Sequence, residues 1–345
     1  MAFKRLDPED FVISSDSVTS TVWSSNSPAL NSYFSSSVQK EGASGPYYIS
    51  VYQTGSSDNT AEVQFQIAYG NRNGGGGVDF DGAVPNVSAT KTIYGQYRAL
   101  VLEDEDSYFI WGNSSGSDDN DFYALSVERA RYKQTLLPGS TNIHLSSSGI
   151  GILHLTDNSN MVATPDFYGT TRVYQMISGS NGSSYDGGTG YTTSSGSYGW
   201  FLPDISTVLL NSKALSTAQG INLATNSSSN TNAQNPAALF SVFSASSVYT
   251  SIDDVFKVNS QETLTSDFVF VRTRNTEFNY SENPTFISGS TGEVIYTYFI
   301  NNPTVFPTTI GLYNDSNDLL AVAKLSKPLQ KDFTKEALIR VKLDF

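Results

Sequence analysis

The sequence predicts a mainly β protein with a few short helices and more than one domain. Its last third consists of short runs rich in Val, Ile, Phe and Tyr, each bounded by Asn, Pro, Gly or Asp, and this is the pattern of strands joined by turns. Twenty Tyr and 20 Phe supply apolar area for a core, whereas only 15% of the residues are charged, below the roughly 25% of an average soluble domain. A length of 345 residues corresponds to two or three domains at about 150 residues each.

The C-terminal strands are the clearest prediction. Five runs carry them: Phe268–Arg272, Val294–Ile300, Thr309–Tyr313, Leu319–Leu325 and Leu338–Phe345. The last run reaches Phe345, and we expect it to be used structurally, because loose chain ends usually lose strand-like residues. Within this run, polar and apolar side chains alternate, with Ile339, Val341 and Leu343 on one side, which predicts one buried face.

Earlier parts of the chain also predict strands. Phe11–Ile13 and Ser17–Trp23 are strand-like, and Pro46–Tyr69 largely alternates with the period of two that is typical of a half-buried strand. Ala99–Leu102 and Tyr108–Trp111 flank a short acidic run, and we predict a hairpin with a charged tip there. Further strand-like or ordered runs are Ile143–Leu145, Ile150–Leu155 and Phe201–Leu210.

Three segments predict helices. Phe122–Lys133 follows three aspartates and ends with three basic residues, and these charges match the dipole of a helix. Ala237–Val248 and Ser251–Val258 are predicted as short helices. Ser178–Gly199 is rich in Gly, Ser, Tyr and Thr, and we interpret it as a long exposed loop.

The domain organisation predicted from these patterns has four regions. Residues 1–40 form an N-terminal arm, and residues 41–223 form one or more β-rich domains. Residues 224–260 contain a polar linker and short helices, and residues 261–345 form a C-terminal β-domain.

Composition excludes several classes of protein. Without cysteine, the chain has no disulfide scaffold, no Cys-ligated metal and no thiol nucleophile. The net charge is −13, and neither half has the clustered excess of basic residues that a nucleic-acid surface needs. The N-terminus has no apolar signal region and no run approaches the ~18 apolar residues of a membrane span. We therefore expect a chain folded in a cytoplasm, without nucleic acid and without a membrane span.

The sequence contains no clear catalytic or cofactor-binding pattern. His144 and His154 are its only histidines, so a His-rich metal centre is impossible. The segment Gly112–Gly116 fits G-x-S-x-G, but an acidic stretch follows it where a nucleophile elbow requires a helix. We therefore predict no enzyme activity, no cofactor and no metal site, and keep a glycan hydrolase with paired carboxylates as a minor alternative.

Acidic and glycine-rich segments are interpreted as loops. Gly74–Asp81 nearly spells one calcium-binding nonapeptide, but that motif works in stacked arrays and occurs here once. Glu103–Asp106 and Asp118–Asp121 are interpreted as solvated loop acids. Their binding to a hard cation, if the fold brings them together, remains an open alternative.

Four stretches resemble a known group of proteins. They begin with Phe3-Lys-Arg-Leu-Asp-Pro-Glu-Asp-Phe-Val-Ile-Ser-Ser15, followed by Tyr198–Leu215, Phe268–Gly289 and Thr309–Pro328. Together they resemble virion structural proteins of T4-like and cyanophage-type contractile-tailed phages. The resemblance spans both ends and the late middle of the chain, and it implies a tail or baseplate component located in the virion, without inherited catalytic residues.

We therefore expect a structural subunit that joins neighbouring subunits through loops and terminal strands, since an unpaired strand edge can extend the sheet of a partner. Its partners would be other tail or baseplate proteins, or copies of itself. The candidate assembly residues are Phe3, Phe11, Ile13, Leu338, Ile339, Val341, Leu343 and Phe345. The alternatives are a neck or tail-junction protein and a host-recognition module that binds surface glycans through Tyr185, Tyr191 and Tyr198.

Overall fold

The structure is a computed structural model that describes residues 4–35, 48–76, 89–112, 121–146, 152–218, 221, 223, 234–247, 255–281 and 283–344. The chain divides into two compact units. Unit 1 comprises Met1–Ser17 and Thr263–Phe345, and unit 2 comprises Val18–Glu262.

Strands dominate both units. In chain order they are β1 (Phe11–Thr21), β2 (Ala29–Leu30), β3 (Phe34–Ser35), β4 (Tyr48–Tyr52), β5 (Val63–Asn71), β6 (Asp121–Val127), β7 (Thr135–Leu136), β8 (Asn142–Ser146), β9 (Ile152–Asp157), β10 (Asp166–Tyr168), β11 (Thr171–Ser180), β12 (Ser183–Ser184), β13 (Gly199–Leu202), β14 (Thr207–Asn211), β15 (Phe256–Lys257), β16 (Asn259–Thr273), β17 (Thr309–Tyr313), β18 (Leu319–Lys324) and β19 (Ala337–Asp344). The α-helices of the described residues are α1 (Thr90–Val101), α2 (Gln234–Ser247) and α3 (Thr297–Asn301). Short 3₁₀ turns at Pro8–Asp10 and Arg129–Arg131 and a π-helical turn at Ala214–Ala218 complete the set. The predicted mainly β class with a few short helices is confirmed.

Unit 2 is built on one large curled antiparallel sheet. Its strand order is β2-β15-β8-β9-β11-β13-β14-β6-β5-β4-β3, with β10 and β12 attached to β11. The two end strands, β2 and β3, are joined by only three residues, 31–33. Because three residues span roughly 10 Å at most, the two ends of the sheet lie close together and the sheet curls back on itself.

The concave face of this sheet holds the main core. Trp23, Phe65 and Phe256 pack there with ring centroids 5.1–6.2 Å apart. Helix α2 contributes Phe243 to the same cluster and packs against β4, β5 and β8. A helix at this position was predicted from Ala237–Val248, and that prediction is confirmed.

The opposite face of the central strands is buried as well. Helix α1 packs on β5, and its Tyr94 joins Phe109, Trp111 and Trp200 in a second aromatic cluster. Phe109 and Trp111 stack with centroids 5.5 Å apart. Because both faces of β6, β13 and β14 are covered, these strands are buried at nearly every position.

This double burial explains the wrong helix prediction for Phe122–Lys133. Phe122 and Ala124 belong to the second cluster, whereas Tyr123 and Leu125 belong to the main core. A strand buried on both faces shows no period of two, and its continuous apolar run cannot be told from a buried helix by periodicity. The segment therefore forms β6 and a 3₁₀ turn.

In unit 2, the predicted hairpin at Ala99–Trp111 and the predicted helix at Ser251–Val258 have a different secondary structure from the one predicted. Ala99–Val101 ends α1, and Tyr108–Trp111 forms no strand, so the predicted hairpin does not exist. Its Phe109 and Trp111 pack as core side chains instead of pairing as a strand. Within Ser251–Val258, the described part includes β15 at Phe256–Lys257, because these residues pair with β2 and β8.

The Gly/Ser tract Ser178–Gly199 is only partly the exposed loop that its composition suggested. It begins in β11, and its last five residues, Ser195–Gly199, are buried. Asn211 donates its side-chain amide to the carbonyls of Ser195 (2.9 Å) and Ser197 (3.0 Å). Small side chains allow this close backbone packing, and composition alone does not distinguish it from a solvated loop.

Unit 1 contains few buried apolar side chains. Among its described residues, the large apolar side chains that are buried are Val269, Phe299 and Val341. Both hydrophobic clusters consist of unit 2 residues. Of the 24 large apolar side chains that are exposed in the described chain, 15 belong to unit 1. Unit 1 is therefore the less completely buried part of the molecule.

One predicted strand in unit 1 is wrong. Val294–Ile300 contributes a single bridge, between Val294 and Ile287, and then turns into α3. Phe299 of α3 packs edge-on against Phe286 with centroids 4.9 Å apart. No neighbouring strand is available to this segment among the described residues, and β propensity without a cross-strand partner does not make a strand.

Candidate assembly surface

The terminal sheet, defined here as β1, β16 and β19, brings the two predicted assembly regions together. Strand β16 is central, with β1 on one side and β19 on the other. The N-terminal and C-terminal strands are thus paired within the chain rather than extending from it. Each pairs with β16, and within the described residues neither has a second neighbour, so each keeps one open backbone edge.

Strand β19 is held by a regular antiparallel ladder along β16, from Ser266 opposite Asp344 to Thr273 opposite Ala337. Val341 and Val269 oppose each other and are both buried. Ile339 and Leu343 share the face of Val341 and are half-buried. The burial of β19 follows the alternation predicted from the sequence, since intervening residues are exposed.

The other face of β19 is basic and partly apolar. Leu338 is 62% exposed, and Arg340 and Lys342 follow it on the same face. The guanidinium of Arg340 lies 5.4 Å from the ring centroid of Phe268. Lys342 forms an exposed ion pair with Asp344 (2.8 Å). Asp344 lies on the same face, so this face carries two cations and one acid, a net charge of +1.

Strand β1 is exposed along nearly its whole length. Phe11 and Ile13, both predicted as assembly residues, are 44% and 64% exposed, and Val12 between them is also exposed. Exposed neighbours on both faces mean that neither face of β1 is covered by the described part of the chain. Asp16 is the only charged residue of the strand.

Ion pairs fix the start of the chain within unit 1. The side chain of Asp10 is nearly buried. Its carboxylate forms an ion pair with the guanidinium of Arg272, with Oδ1 and Nε 3.3 Å apart. Lys4 donates to Glu277 (3.0 Å) and to the carbonyl of Arg272. The pKa of Glu277 is lowered by the Arg274 amide and by Lys4. The predicted residues Phe3 and Phe345 lie outside the described residues.

Sequence reasoning did not identify further exposed apolar residues of unit 1. In the β17–β18 hairpin, Leu319, Leu320 and Val322 are exposed, and Tyr298 and Ile300 of α3 are exposed as well. A two-stranded hairpin is marginally stable on its own. The adjacent leucines of β18 could have indicated an apolar surface that a partner covers. A strand with one solvated face does not place apolar residues at successive positions.

The two histidines form a cross-strand pair in unit 2. His144 of β8 lies opposite His154 of β9, with ring centroids 4.2 Å apart. His154 also meets the edge of Tyr185 at 5.9 Å. The described residues contain no group of three or more His, Cys, Asp or Glu side chains suited to a metal ion.

The three tyrosines of the glycan-binding alternative do not share a surface. Tyr185 is 62% exposed, whereas Tyr198 is 2% exposed and belongs to the main core. Tyr191 is half-buried, and burial together with nearby Asp166 raises its pKa. A stacking platform for sugars would need more than the one freely exposed ring that this set supplies.

The acidic segments behave as turns where they are described. The Asp104 carboxylate accepts hydrogen bonds from the Asp106 amide (2.9 Å) and the Ser107 hydroxyl (2.5 Å), and these bonds lower its pKa. Asp121 accepts a hydrogen bond from the Tyr69 hydroxyl (2.7 Å). Most of Asp118–Asp121, of Gly112–Gly116 and of Gly74–Asp81 lies outside the described residues.

A cavity of about 430 Å³ lies beside α1 in unit 2. Gln66, Gln96, Thr92 and Ser126 supply its polar lining, and the Tyr97 hydroxyl shares a hydrogen bond with Ser126 (2.9 Å). Among the described residues that line it, there are neither carboxylates nor histidines. These side chains provide hydrogen bonds for a neutral molecule but not the paired carboxylates of a glycan hydrolase.

Comparison with known proteins gives no family: no family model, no curated protein and no solved structure matches this chain. No helix among the described residues is long and apolar enough to cross a membrane.

Proposed function

We propose that this chain is a structural subunit of a phage virion, in the contractile tail or baseplate, and that it joins neighbouring subunits through its terminal strands and exposed apolar residues. In this proposal its place is the assembled particle, and its partners are other tail or baseplate proteins or further copies of the chain. It holds subunits together rather than catalysing a reaction.

The observation that carries this proposal is the exposure of unit 1. A unit of about 100 residues ordinarily encloses a contiguous apolar core. Within the residues that the structure describes, unit 1 instead leaves 15 large apolar side chains exposed and keeps two open strand edges. Exposed apolar surface of this extent on a folded protein is typical of a site that a partner covers.

The resemblance to phage virion proteins supports the same region. Three of the four resembling stretches, Phe3–Ser15, Phe268–Gly289 and Thr309–Pro328, lie in unit 1. They include most of the exposed hairpin and the start of β1. The resemblance is therefore concentrated where the structure is least buried.

The glycan-binding alternative has weaker support, because it was based on three loop tyrosines and one of them, Tyr198, is a core residue. A neck or tail-junction position fits the same exposed surface as a baseplate position. The two positions differ in neighbours and not in the type of contact that unit 1 would make.

Particle incorporation tests the proposal directly. Mass spectrometry of purified particles should detect the chain at a fixed ratio to the major tail proteins. Ile13→Ser and Leu338→Ser change residues that are already exposed, so the free chain should fold normally while its incorporation falls. Leu100→Ser, at an exposed residue of unit 2, is the matched control. Absence of the chain from particles would overturn the proposal.

A further inference from the structure

The terminal sheet has two open edges that differ in chemistry. β1 and β19 lie on opposite sides of β16, so their outer edges point away from each other. β1 is 11 residues long and its only charge is Asp16. β19 is eight residues long, and its exposed face carries Arg340, Lys342 and Asp344, a net charge of +1.

The edge of β1 lacks the usual protection against pairing. Edge strands that remain free in solution are commonly short, or carry lysine or proline, or are covered. β1 has no lysine and no proline, and Phe11, Val12 and Ile13 are exposed. A strand of this kind pairs with another strand when one is offered.

Pairing of like edges is opposed by like charges. In a symmetric antiparallel pair of two β19 strands, residues of the same face oppose each other. Registers centred on the middle of the strand then set Arg340 or Lys342 against a cation of the second copy, which is destabilising. Full overlap of two β1 strands is centred on Asp16, so it sets that carboxylate against its own copy.

Pairing of unlike edges removes this conflict. When β1 of one copy lies antiparallel to β19 of the next with Asp16 opposite Arg340, Lys342 lies diagonally across from Asp16, and this carboxylate meets two cations instead of another acid. Building on the proposed assembly role, we propose that the partner of the terminal sheet is a second copy of this chain, with β1 of one copy adding to the open edge of β19 of the next.

This arrangement makes a head-to-tail interface. Each copy then donates one edge and accepts another, so the sheet continues from copy to copy. A head-to-tail interface closes into a ring when the rotation between copies fits, and otherwise forms a helical array. A two-fold dimer is not an outcome of this interface.

The absence of cysteine makes the test simple. We would prepare one full-length variant with Val18→Cys on β1 and a second with Leu338→Cys on β19, both at exposed positions. Val18 shares the face of Asp16, and it lies opposite Leu338 when Asp16 lies opposite Arg340. Each carries a single thiol, so any disulfide or short bis-maleimide link joins two molecules. The control is Ser57→Cys, in an exposed turn of unit 2.

The expected result is a cross-linked heterodimer from the V18C and L338C mixture, at a yield well above that of V18C alone, L338C alone or either one mixed with S57C. Adding Arg340→Glu and Lys342→Glu to the L338C variant should lower the yield by roughly five- to tenfold. Combining that variant with V18C that also carries Asp16→Lys should recover the yield.

A mixture that links no better than the S57C control would overturn the proposal, and so would homodimers as abundant as heterodimers or a yield insensitive to charge reversal. Circular dichroism of each variant would establish that it is folded before linking. If the chain is found in purified particles but no β1–β19 link forms there, self-pairing is excluded while the assembly role stands. Absence of the chain from particles would exclude the assembly role itself.

Discussion

The ammonium Nζ of Lys331 lies 2.9 Å from Oδ1 of Asn279, and both side chains are buried in unit 1. The same ammonium donates to the carbonyl of Asn275 at 3.1 Å. Backbone bonds between Lys331 and Val305 (2.9 Å) attach a third segment. Lys331 therefore connects three segments of unit 1 through side-chain and backbone hydrogen bonds. The described part of this unit buries few large apolar side chains.

Replacing Lys331 tests how much its side-chain hydrogen bonds stabilise unit 1. Lys331→Met keeps most of the side-chain volume but leaves buried oxygens of Asn275 and Asn279 without their donor. Since hydrogen bonds to charged groups contribute about 1.5–3 kcal/mol, we expect a loss of about 2 kcal/mol for unit 1. Proteolysis of unit 1 under native conditions measures it. The control is Lys327→Met at an exposed residue, and equal stability of the two variants would contradict the account.

Gly199 tests the close packing of the Gly/Ser tract. Its φ is +141°, and a Cβ there would lie 1.9 Å from the carbonyl oxygen of Leu209. Gly199→Ala must therefore displace β13 from β14, and we expect a loss of several kcal/mol. Gly55→Ala is the matched control, because no atom lies within 4 Å of its Cβ position. Chemical denaturation compares the two, and a tolerated Gly199→Ala would mean that the tract is loosely packed.

Arg172 and Asp204 link β11 to the turn between β13 and β14. Nε and Nη2 of Arg172 both donate to the carboxylate, at 2.5–3.0 Å, and its backbone amide donates as well (3.2 Å). Arg172→Lys keeps the charge but loses the planar fork. The pair is partly solvated, so we expect a modest loss of about 1 kcal/mol. A double-mutant cycle with Asp204→Asn measures the coupling, and a coupling near zero would show that the pair does not stabilise the fold.

Asp157 should lower the stability of unit 2 as pH rises, whereas carboxylates with a lowered pKa raise stability as pH rises. Burial raises its pKa, against the lowering effect of hydrogen bonds from Ser159 and Gly139. The folded chain therefore holds a proton that the unfolded chain has already lost, and this contribution to stability falls as pH rises from the usual Asp range through the raised pKa. Asp157→Asn should make the free energy of unfolding rise more steeply with pH across that window.

Asp58 is the control, because its pKa is shifted in the opposite direction from that of Asp157. Hydrogen bonds from Thr60 lower its pKa, so its contribution is present above the usual Asp range and is lost on acidification. Asp58→Asn should make the rise with pH slightly shallower. Denaturation series at several pH values distinguish these outcomes, and parallel curves for the wild-type chain and Asp157→Asn would contradict the assignment.

Exposed apolar residues of the β17–β18 hairpin should matter for assembly and not for the free chain. Leu320 and Val322 are 68% and 58% exposed. Serine at both positions should change the free energy of unfolding by less than about 0.5 kcal/mol while lowering particle incorporation and binding of a hydrophobic dye. A large loss of stability in the free chain would show that these side chains pack within the chain.

Sequence patterns predicted the positions of the strands in unit 1 better than they predicted which of its side chains are buried. The alternation in Leu338–Asp344 gave both the strand β19 and the orientation of Val341, because one face of that strand is solvated. The same reasoning failed for Phe122–Val127, because both faces of β6 are covered by helices and neighbouring strands that lie far away in sequence. Periodicity reports a difference between two faces, and no such difference exists in β6.

The candidate surface was predicted only in part. Phe11, Ile13 and Leu338 were identified because strand-like chain ends suggest pairing, and all three are exposed. That both chain ends flank the same strand could not be predicted, since pairing partners some 250 residues apart leave no local signal. The buried Lys331 was not identified either, because its acceptors, such as Asn279, are neutral oxygens with no charge pattern in the sequence.

Hydrogen exchange at the two open edges tests the central claim most directly. Amides of Phe11–Thr21 and Ala337–Asp344 would be compared in the free full-length chain and in the purified particle. We expect those on the outer edges to exchange rapidly in the free chain and to be strongly protected in the particle, while β6 is protected in both. Equal exchange at these edges in the two states would contradict an assembly role for the terminal strands.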